Sequence, residues 1–267
     1  MKTPDDLEKL SLLLDDEDDE VAVNVIAALL ERQDELGDLP ARLQESSNEL
    51  VRRRAHQLQS AITFRQRRQE FAAMLNAVKI DFFSGLVLLH VLWFNRDSRS
   101  NITAVLEAFA VAARRRPLLS LEDARALMCR FGFSAELEST IHPENYCIGT
   151  VIFNRSGAAS LLMGLLKSLM VNPKKFFVVR FCGEFALFDG KNSILLGQGD
   201  WRVCRISSID DLEFFSFRDI LHCAGNMLFS SAVNSDNFRH VLTLAQSLTG
   251  AHDAAPLGEL PYPYKPS

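Results

Sequence analysis

The chain has 267 residues, a formal net charge of −5, a sequence pI near 5.7 and 48% hydrophobic residues, enough for one large domain or two small ones with a buried core. That acidic balance argues against nucleic-acid binding, which needs a dense positive face. The five cysteines (Cys129, Cys147, Cys182, Cys204 and Cys223) are odd in number and widely spaced, with no Cys-x-x-Cys pair and no Cys/His cluster at zinc spacing; neither a disulfide framework nor a structural metal is expected.

The N-terminal Met-Lys-Thr-Pro-Asp-Asp lacks an apolar core and cleavage site, so nothing in it directs export and a cytoplasmic protein is the expectation. The most apolar window, Phe82 to Phe94, spans 13 residues and contains Gly85 and His90. It is too short to cross a bilayer and predicts a buried helix, so no membrane partner is expected.

From Pro4 to about Phe71 the apolar spacing is helical. Leu7, Leu10 and Leu14 share one face, followed by Val21, Val25, Leu29 and Leu36, then Leu50, Leu58 and Ile62. Polar turns at Asp15–Glu20 and Gln44–Glu49 precede the second helix of each pair, and Leu14 and Leu43 lie 29 positions apart. This self-similarity resembles a degenerate HEAT-like array over residues 1–70. The acidic residues of the first turn suit the positive end of the following helix dipole. The basic clusters Arg52–Arg54, Arg65–Arg68 and Arg114–Arg116 are read as solvated helix faces or helix C-termini.

Three helices are predicted next: one over 71–94, one from Asn101 to Arg115, and one opening at Ser120 with a capping box to Asp123. His90 and Trp93 are expected to pack as an aromatic pair rather than line a cofactor pocket. A helix over Glu144–Asn154 follows Pro143, with Gly157 suiting the position after its end. Leu161, Leu162, Leu165, Leu166 and Leu169 then form a stripe that Pro173 closes.

The β signal starts at Phe176. Phe176–Cys182 and Phe185–Asp189 predict a hairpin around Gly183-Glu184. Ile194–Leu196 and Trp201–Ile206 add two more strands, so the sheet is expected to be small and antiparallel. Two helices, Phe217–Val233 and Asp236–Leu248, resemble one tetratricopeptide-like unit. The tail from Ala251 carries Pro256, Pro261, Pro263 and Pro266 and is expected to be extended. The fold class predicted is therefore mainly α with a small antiparallel sheet, an α+β arrangement.

Several pieces occur together in a fixed order: Leu106–Ala110, Cys129–Phe133, Pro143–Tyr146, Val151–Gly157, Phe176–Arg180, Phe188–Gly190, Asp219–Leu221 with Asn226, and Asp236–Phe238. In order and spacing they resemble the SirB-type transglutaminase-like family of bacterial proteins. That resemblance implies a helical-repeat part (1–70), a transglutaminase-like core (71–210), a tetratricopeptide-like helix pair (211–250) and an extended tail (251–267). In such a core a helix N-terminus carries a thiolate, and the next strands carry the histidine that takes its proton and a carboxylate that orients the histidine.

Here the corner reads Gly157-Ala158-Ala159-Ser160-Leu161, where the family continues after Gly with Ile-Pro and a Ser-Leu pair. The strand has Phe176 where the family has histidine, and the connection before it is shorter. Ala159, Ser160 and Phe176 are thus degenerate positions, and Asp189 alone could survive from the site, where a tight-turn bond to the backbone is the alternative. Two functions follow as expectations. The first is a non-catalytic pseudoenzyme scaffold that binds another protein or peptide, without cofactor or metal. The second is a cysteine hydrolase or acyl transferase using a displaced thiol, with Cys147 and His142 as the rearranged pair.

Overall fold

Four helices account for the first part of the chain. The structure, a computed structural model, describes residues 4–136, 142–197, 200–206 and 211–249, and the chain divides into two compact units, residues 1–67 and 68–267. In the first unit, α1 (Pro4–Leu12) leads through a 3-10 turn to α2 (Asp19–Glu31), then to the short α3 (Leu39–Gln44) and the first part of α4 (Glu49–Asn76). Their core gathers Leu7, Leu14, Val25, Leu29, Leu36, Leu39, Leu58 and Ile62, apolar positions that recur at helical spacing.

The polar turns of this unit are capping devices. Asp16 Oδ1 accepts the N–H of Asp18 at 2.9 Å, and Asp18 Oδ1 accepts that of Glu20 at 2.8 Å. Thirty positions later, Ser46 Oγ accepts the N–H of Asn48 at 3.2 Å and Asn48 Oδ1 that of Leu50 at 2.9 Å. Each pair satisfies backbone donors that the first turn of a helix leaves without an internal partner. Arg54, only 2% exposed, donates to the Leu14 carbonyl at 3.1 Å, to the Asp16 carbonyl and to Asp19 Oδ1 at 2.8 Å. The Asp16–Asp19 turn is thereby tied to α4.

In the second unit the helix predicted over 71–94 is two helices. α4 runs on to Asn76, and α5 (Phe82–Trp93) starts anew because Asp81 takes the N-cap and accepts the N–H of Ser84 at 3.3 Å. There follow α6 (Arg99–Arg114), α7 (Leu121–Phe131), β1 (Ser134–Glu136), α8 (Ile148–Asn154), β2 (Ser156–Ala158) and α9 (Ala159–Leu169). The strands β3 (Phe177–Phe181), β4 (Glu184–Phe188), β5 (Asn192–Gly197), β6 (Asp200–Arg205) and β7 (Glu213–Phe215) come next, then α10 (Phe217–Asn234) and α11 (Phe238–Thr249). The architecture is mainly helical with a small antiparallel sheet of five strands, ordered β6-β5-β4-β3-β7. β1 and β2 form a separate parallel pair that the sequence pattern did not indicate.

The Ser120–Asp123 capping box opens α7 as predicted, and Gly132 in the left-handed region (φ 68°) closes it. The hairpin between β3 and β4 turns on Cys182 and Gly183, not on Gly183-Glu184. Both have positive φ, 50° and 84°, as a type I′ turn requires, and Glu184 already pairs with Phe181 in the ladder.

The central strands bury apolar side chains on both faces of the sheet. Val178, Phe185, Leu187 and Ile194 join the main core, while Val179, Ala186 and Phe188 form a second cluster with Leu212. The main core also takes in nearly all of α5, the stripe of α9, and Ile220, Leu221 and Ala224 of α10. α9 approaches α5 and α10 closely at Gly164, where a β-carbon would come within 2.6 Å of Phe82 and 3.1 Å of Ile220. The helices predicted at the C-terminus, α10 and α11, pack on this same core through Leu228, Ala232, Leu244 and Ala245. The tail predicted over 251–267 lies outside the described residues. No helix among the described residues is long and apolar enough to cross a membrane.

Candidate functional site

The corner that resembles a nucleophile site is built by α8, β2 and α9. α8 ends on Arg155, whose φ of 58° is left-handed. Gly157, expected just past the helix, sits instead inside β2, where a β-carbon would meet Val151 at 2.7 Å and the Asn145 carbonyl at 3.3 Å. The helix that follows, α9, begins at Ala159 and has no side-chain cap. Ser160, its second residue, is fully buried, and its Oγ has no hydrogen-bond partner among the described residues. Among the described residues no base hydrogen-bonds to that hydroxyl, and a serine needs such a partner to act as a nucleophile.

Phe176 is buried in the main core. Asp189 is exposed at the end of β4, and its Oδ1 accepts the N–H of Lys191 at 2.9 Å and of Asn192 at 2.7 Å, so the carboxylate is engaged in closing its own turn. No hydrogen bond joins any two of Ala159, Ser160, Phe176 and Asp189 among the described residues.

A different polar constellation lies beside α8. The single helix predicted over Glu144–Asn154 is broken into a 3-10 turn (Pro143–Tyr146) and α8, because Cys147 adopts an extended conformation (φ −104°, ψ 108°) and serves as N-cap of α8. Cys147 is therefore at a helix start rather than inside a helix. Its side chain is completely buried, and burial, with the nearby charges of Glu144 and Asp97 adding to it, pushes the thiol pKa well above the ordinary value. His142 is exposed and stands at the N-cap of that 3-10 turn, the end away from Cys147, and no thiol–imidazole hydrogen bond joins the two among the described residues.

An imidazole that does bond to this segment is that of His90, from α5. It is 2% exposed, its Nδ1 accepts the N–H of Gly149 at 3.3 Å, and its Nε2 lies 2.9 Å from Asp97 Oδ2. An acceptor role for Nδ1 places the proton on Nε2, which donates to Asp97. Burial lowers the His90 pKa, against the opposing pull of Asp97 and of the Cys147 backbone. Both ring nitrogens are thus engaged by groups other than a thiol. His90 and Trp93 do not pair with one another: Trp93 stacks on His240 at 4.4 Å and His90 packs against Phe94 at 5.2 Å.

Asp97 was not among the residues singled out by sequence. The signal was a histidine on an apolar helix followed by an acid just beyond the helix end, a pattern too common to read by itself. The other thiols are placed apart from this cluster: Cys129, Cys182 and Cys204 are exposed and Cys223 is half-buried. Cys182, the last residue of the strand predicted over Phe176–Cys182, occupies the exposed hairpin corner instead. No group of three or more His, Cys, Asp and Glu among the described residues is arranged to hold a metal ion. Comparison with protein-family models, with curated proteins and with solved structures returns no match for this chain.

Proposed function

We propose that this chain is a non-catalytic, degenerate transglutaminase-like protein whose role is to bind another protein or peptide in the cytoplasm. The observation that carries the proposal is the state of the corner itself: Ala159 and a buried, unpartnered Ser160 stand at the helix start, and the phenyl ring of Phe176 lies in the hydrophobic core where the resembling family has its histidine. A thiolate relay needs a sulfur and a ring nitrogen within hydrogen-bond reach, and these positions offer hydrocarbon. On this reading the paired helices of residues 1–70 are HEAT-like repeats, and α10 with α11 is a tetratricopeptide-like pair, both of which bind protein partners through exposed helix faces. The test is capture from native lysate on the immobilised full chain, against the same chain denatured; absence of any partner enriched on the native form would remove the proposal.

A second reading, a cysteine hydrolase or acyl transferase, has one observation in its favour. Cys147 caps α8 two residues before the N–H that His90 accepts, and His90 is itself bonded to Asp97. Against it stand the burial of the thiol and the raised pKa, since a reactive cysteine needs access and a stabilised thiolate. Iodoacetamide labelling near neutral pH discriminates the two. The proposal expects Cys147 to label far more slowly than the exposed Cys129, Cys182 and Cys204; fast labelling of Cys147 would restore the enzyme.

A further inference from the structure

The second unit holds a cleft of about 510 Å³ lined by Lys79, Asp81, Phe83, Arg114, Ser168 and Phe217 among others, a size within the ordinary range for ligand pockets. It has no part in the corner described above. Its charged lining is two cations, Lys79 and Arg114, to one carboxylate. Neither the Lys79 ammonium nor the Arg114 guanidinium makes an ion pair or hydrogen bond with a described residue. Asp81 is the one acidic side chain in the lining, and its oxygens are engaged by the N–H of Ser84 at 3.3 Å and the Ser84 hydroxyl at 2.8 Å.

Beside the cleft, Lys167 places its ammonium 5.1 Å from the ring centre of Phe217 and 6.0 Å from that of Phe177. Both lie within cation–π range. This ammonium is half-buried, with no carboxylate partner among the described residues, and burial lowers its pKa. The apolar surface continues outward: Phe177 meets Phe214 edge to face at 5.7 Å, and the two stay 41% and 51% exposed.

Helix dipoles account for part of this pattern. Arg114 and Lys167 stand in the last turns of α6 and α9, where cations are favoured. The dipole does not account for Lys79, which belongs to no helix, nor for an ammonium within reach of two phenyl rings, one of which, Phe217, lines the cleft. Three cations without acidic partners, next to an exposed aromatic pair, complement a ligand that carries a carboxylate close to apolar groups.

We propose that this cleft is a docking site for an acidic peptide segment. A glutamate or aspartate carboxylate of the segment sits among Lys79, Arg114 and Lys167, and its neighbouring apolar side chains lie on Phe177 and Phe214. Three cations are too few to draw on the counterion release that drives nucleic-acid binding, and Phe82 and Phe217 are already stacked on one another at 4.5 Å, leaving no open slot between them for a base. This inference rests on the protein-binding reading above and gives that reading a place and a partner chemistry.

The test is fluorescence anisotropy on the full chain with a short labelled peptide alternating glutamate and leucine. The matching glutamine–leucine peptide and a single-stranded oligonucleotide serve as the other probes. The acidic peptide is expected to bind more tightly than the glutamine peptide, with affinity falling as salt rises. Lys167→Gln combined with Arg114→Gln is expected to weaken it by about tenfold or more, the scale of losing charge-assisted hydrogen bonds. The pair Lys79→Gln and Arg114→Gln, which leaves the half-buried position intact, should weaken it in the same direction. Equal binding of the two peptides, tighter binding of the oligonucleotide, no binding of the acidic peptide, or indifference to both double variants would overturn the site. A partner captured equally by the wild-type chain and by both variants would leave the protein-binding reading standing while removing this cleft from it.

Discussion

The sharpest consequence of the buried corner concerns Ser160. Its hydroxyl is fully buried and unpartnered among the described residues, and an unsatisfied buried polar group costs about 1–3 kcal/mol in lost hydration. Ser160→Ala removes that cost. The same change leaves a void of one oxygen atom, on the order of 10 Å³, which at roughly 24 cal/mol per Å³ destabilises by only about 0.2–0.3 kcal/mol. Alanine is also the better helix former by a few tenths of a kcal/mol in α9. The desolvation effect dominates, so Ser160→Ala is expected to stabilise the chain by about 1–3 kcal/mol, a rise in melting temperature of roughly 2–4 °C per kcal/mol for a unit of this size. Both tryptophans, Trp93 and Trp201, belong to the second unit, so their fluorescence on heating or in urea reports the relevant transition. A lowered or unchanged melting temperature would refute the reasoning, because it would mean the hydroxyl is hydrogen-bonded in solution and the corner is a built polar site.

Three further outcomes are expected. Arg54→Met keeps the buried volume but strips donors from the Leu14 and Asp16 carbonyls and should destabilise the first unit by about 2–5 kcal/mol, read as lost amide-exchange protection across α1 and α2. Asp19→Asn, at an 86% exposed partner, should change that protection little. Phe176→His puts an imidazole into the hydrophobic core and should cost about 2–4 kcal/mol in urea unfolding, with no esterase activity appearing, since Ala159 has no nucleophilic group and the Ser160 hydroxyl is fully buried from substrate. Stability should also fall as pH drops below the ordinary histidine value of 6.5. Burial lowers the pKa of His90 and of His222 in the folded state, so the unfolded chain takes up protons first and is favoured on acidification. The urea midpoint is expected to decrease between about pH 7.5 and about pH 5.5, less steeply in a His90→Gln variant; a midpoint flat over that range would contradict the burial of these rings.

The sequence was most legible where a single residue fixes a backbone conformation. Ser120 with Asp123 announces the start of α7, and Gly132 its end. The alternation in Phe177–Phe181 and Glu184–Phe188 marks the hairpin, although the corner falls one residue earlier because Cys182, a residue with no turn preference, accepts a positive φ there. Short elements carried no such signal. β1 and β7 have three residues each and are held by neighbours remote in sequence, β1 by Ser156–Ala158 and β7 by Val178–Arg180. The break at Cys147 was illegible for the same reason: nothing at that position forbids a helix, and what ends it is the packing of a fully buried side chain beside Gly149, whose N–H turns to His90.

The distribution of engaged and unengaged polar groups explains why function is sought at the surface of the second unit rather than in its interior. Around the corner, Asp189 is held by its own turn, and His90 has both nitrogens occupied. Groups committed in this way gain rigidity and lose the capacity to bind or transfer anything new, since a new partner must first displace an existing bond. Lys79 and Arg114, which line the cleft, and Lys167 beside it are in the opposite condition: no ion pair or side-chain hydrogen bond with a described residue engages them, the one carboxylate of the lining, Asp81, is taken by Ser84, and exposed rings lie close by. A carboxylate-bearing segment can gain there without displacing any protein–protein hydrogen bond, which is the physical reason to look for the partner at that cleft first.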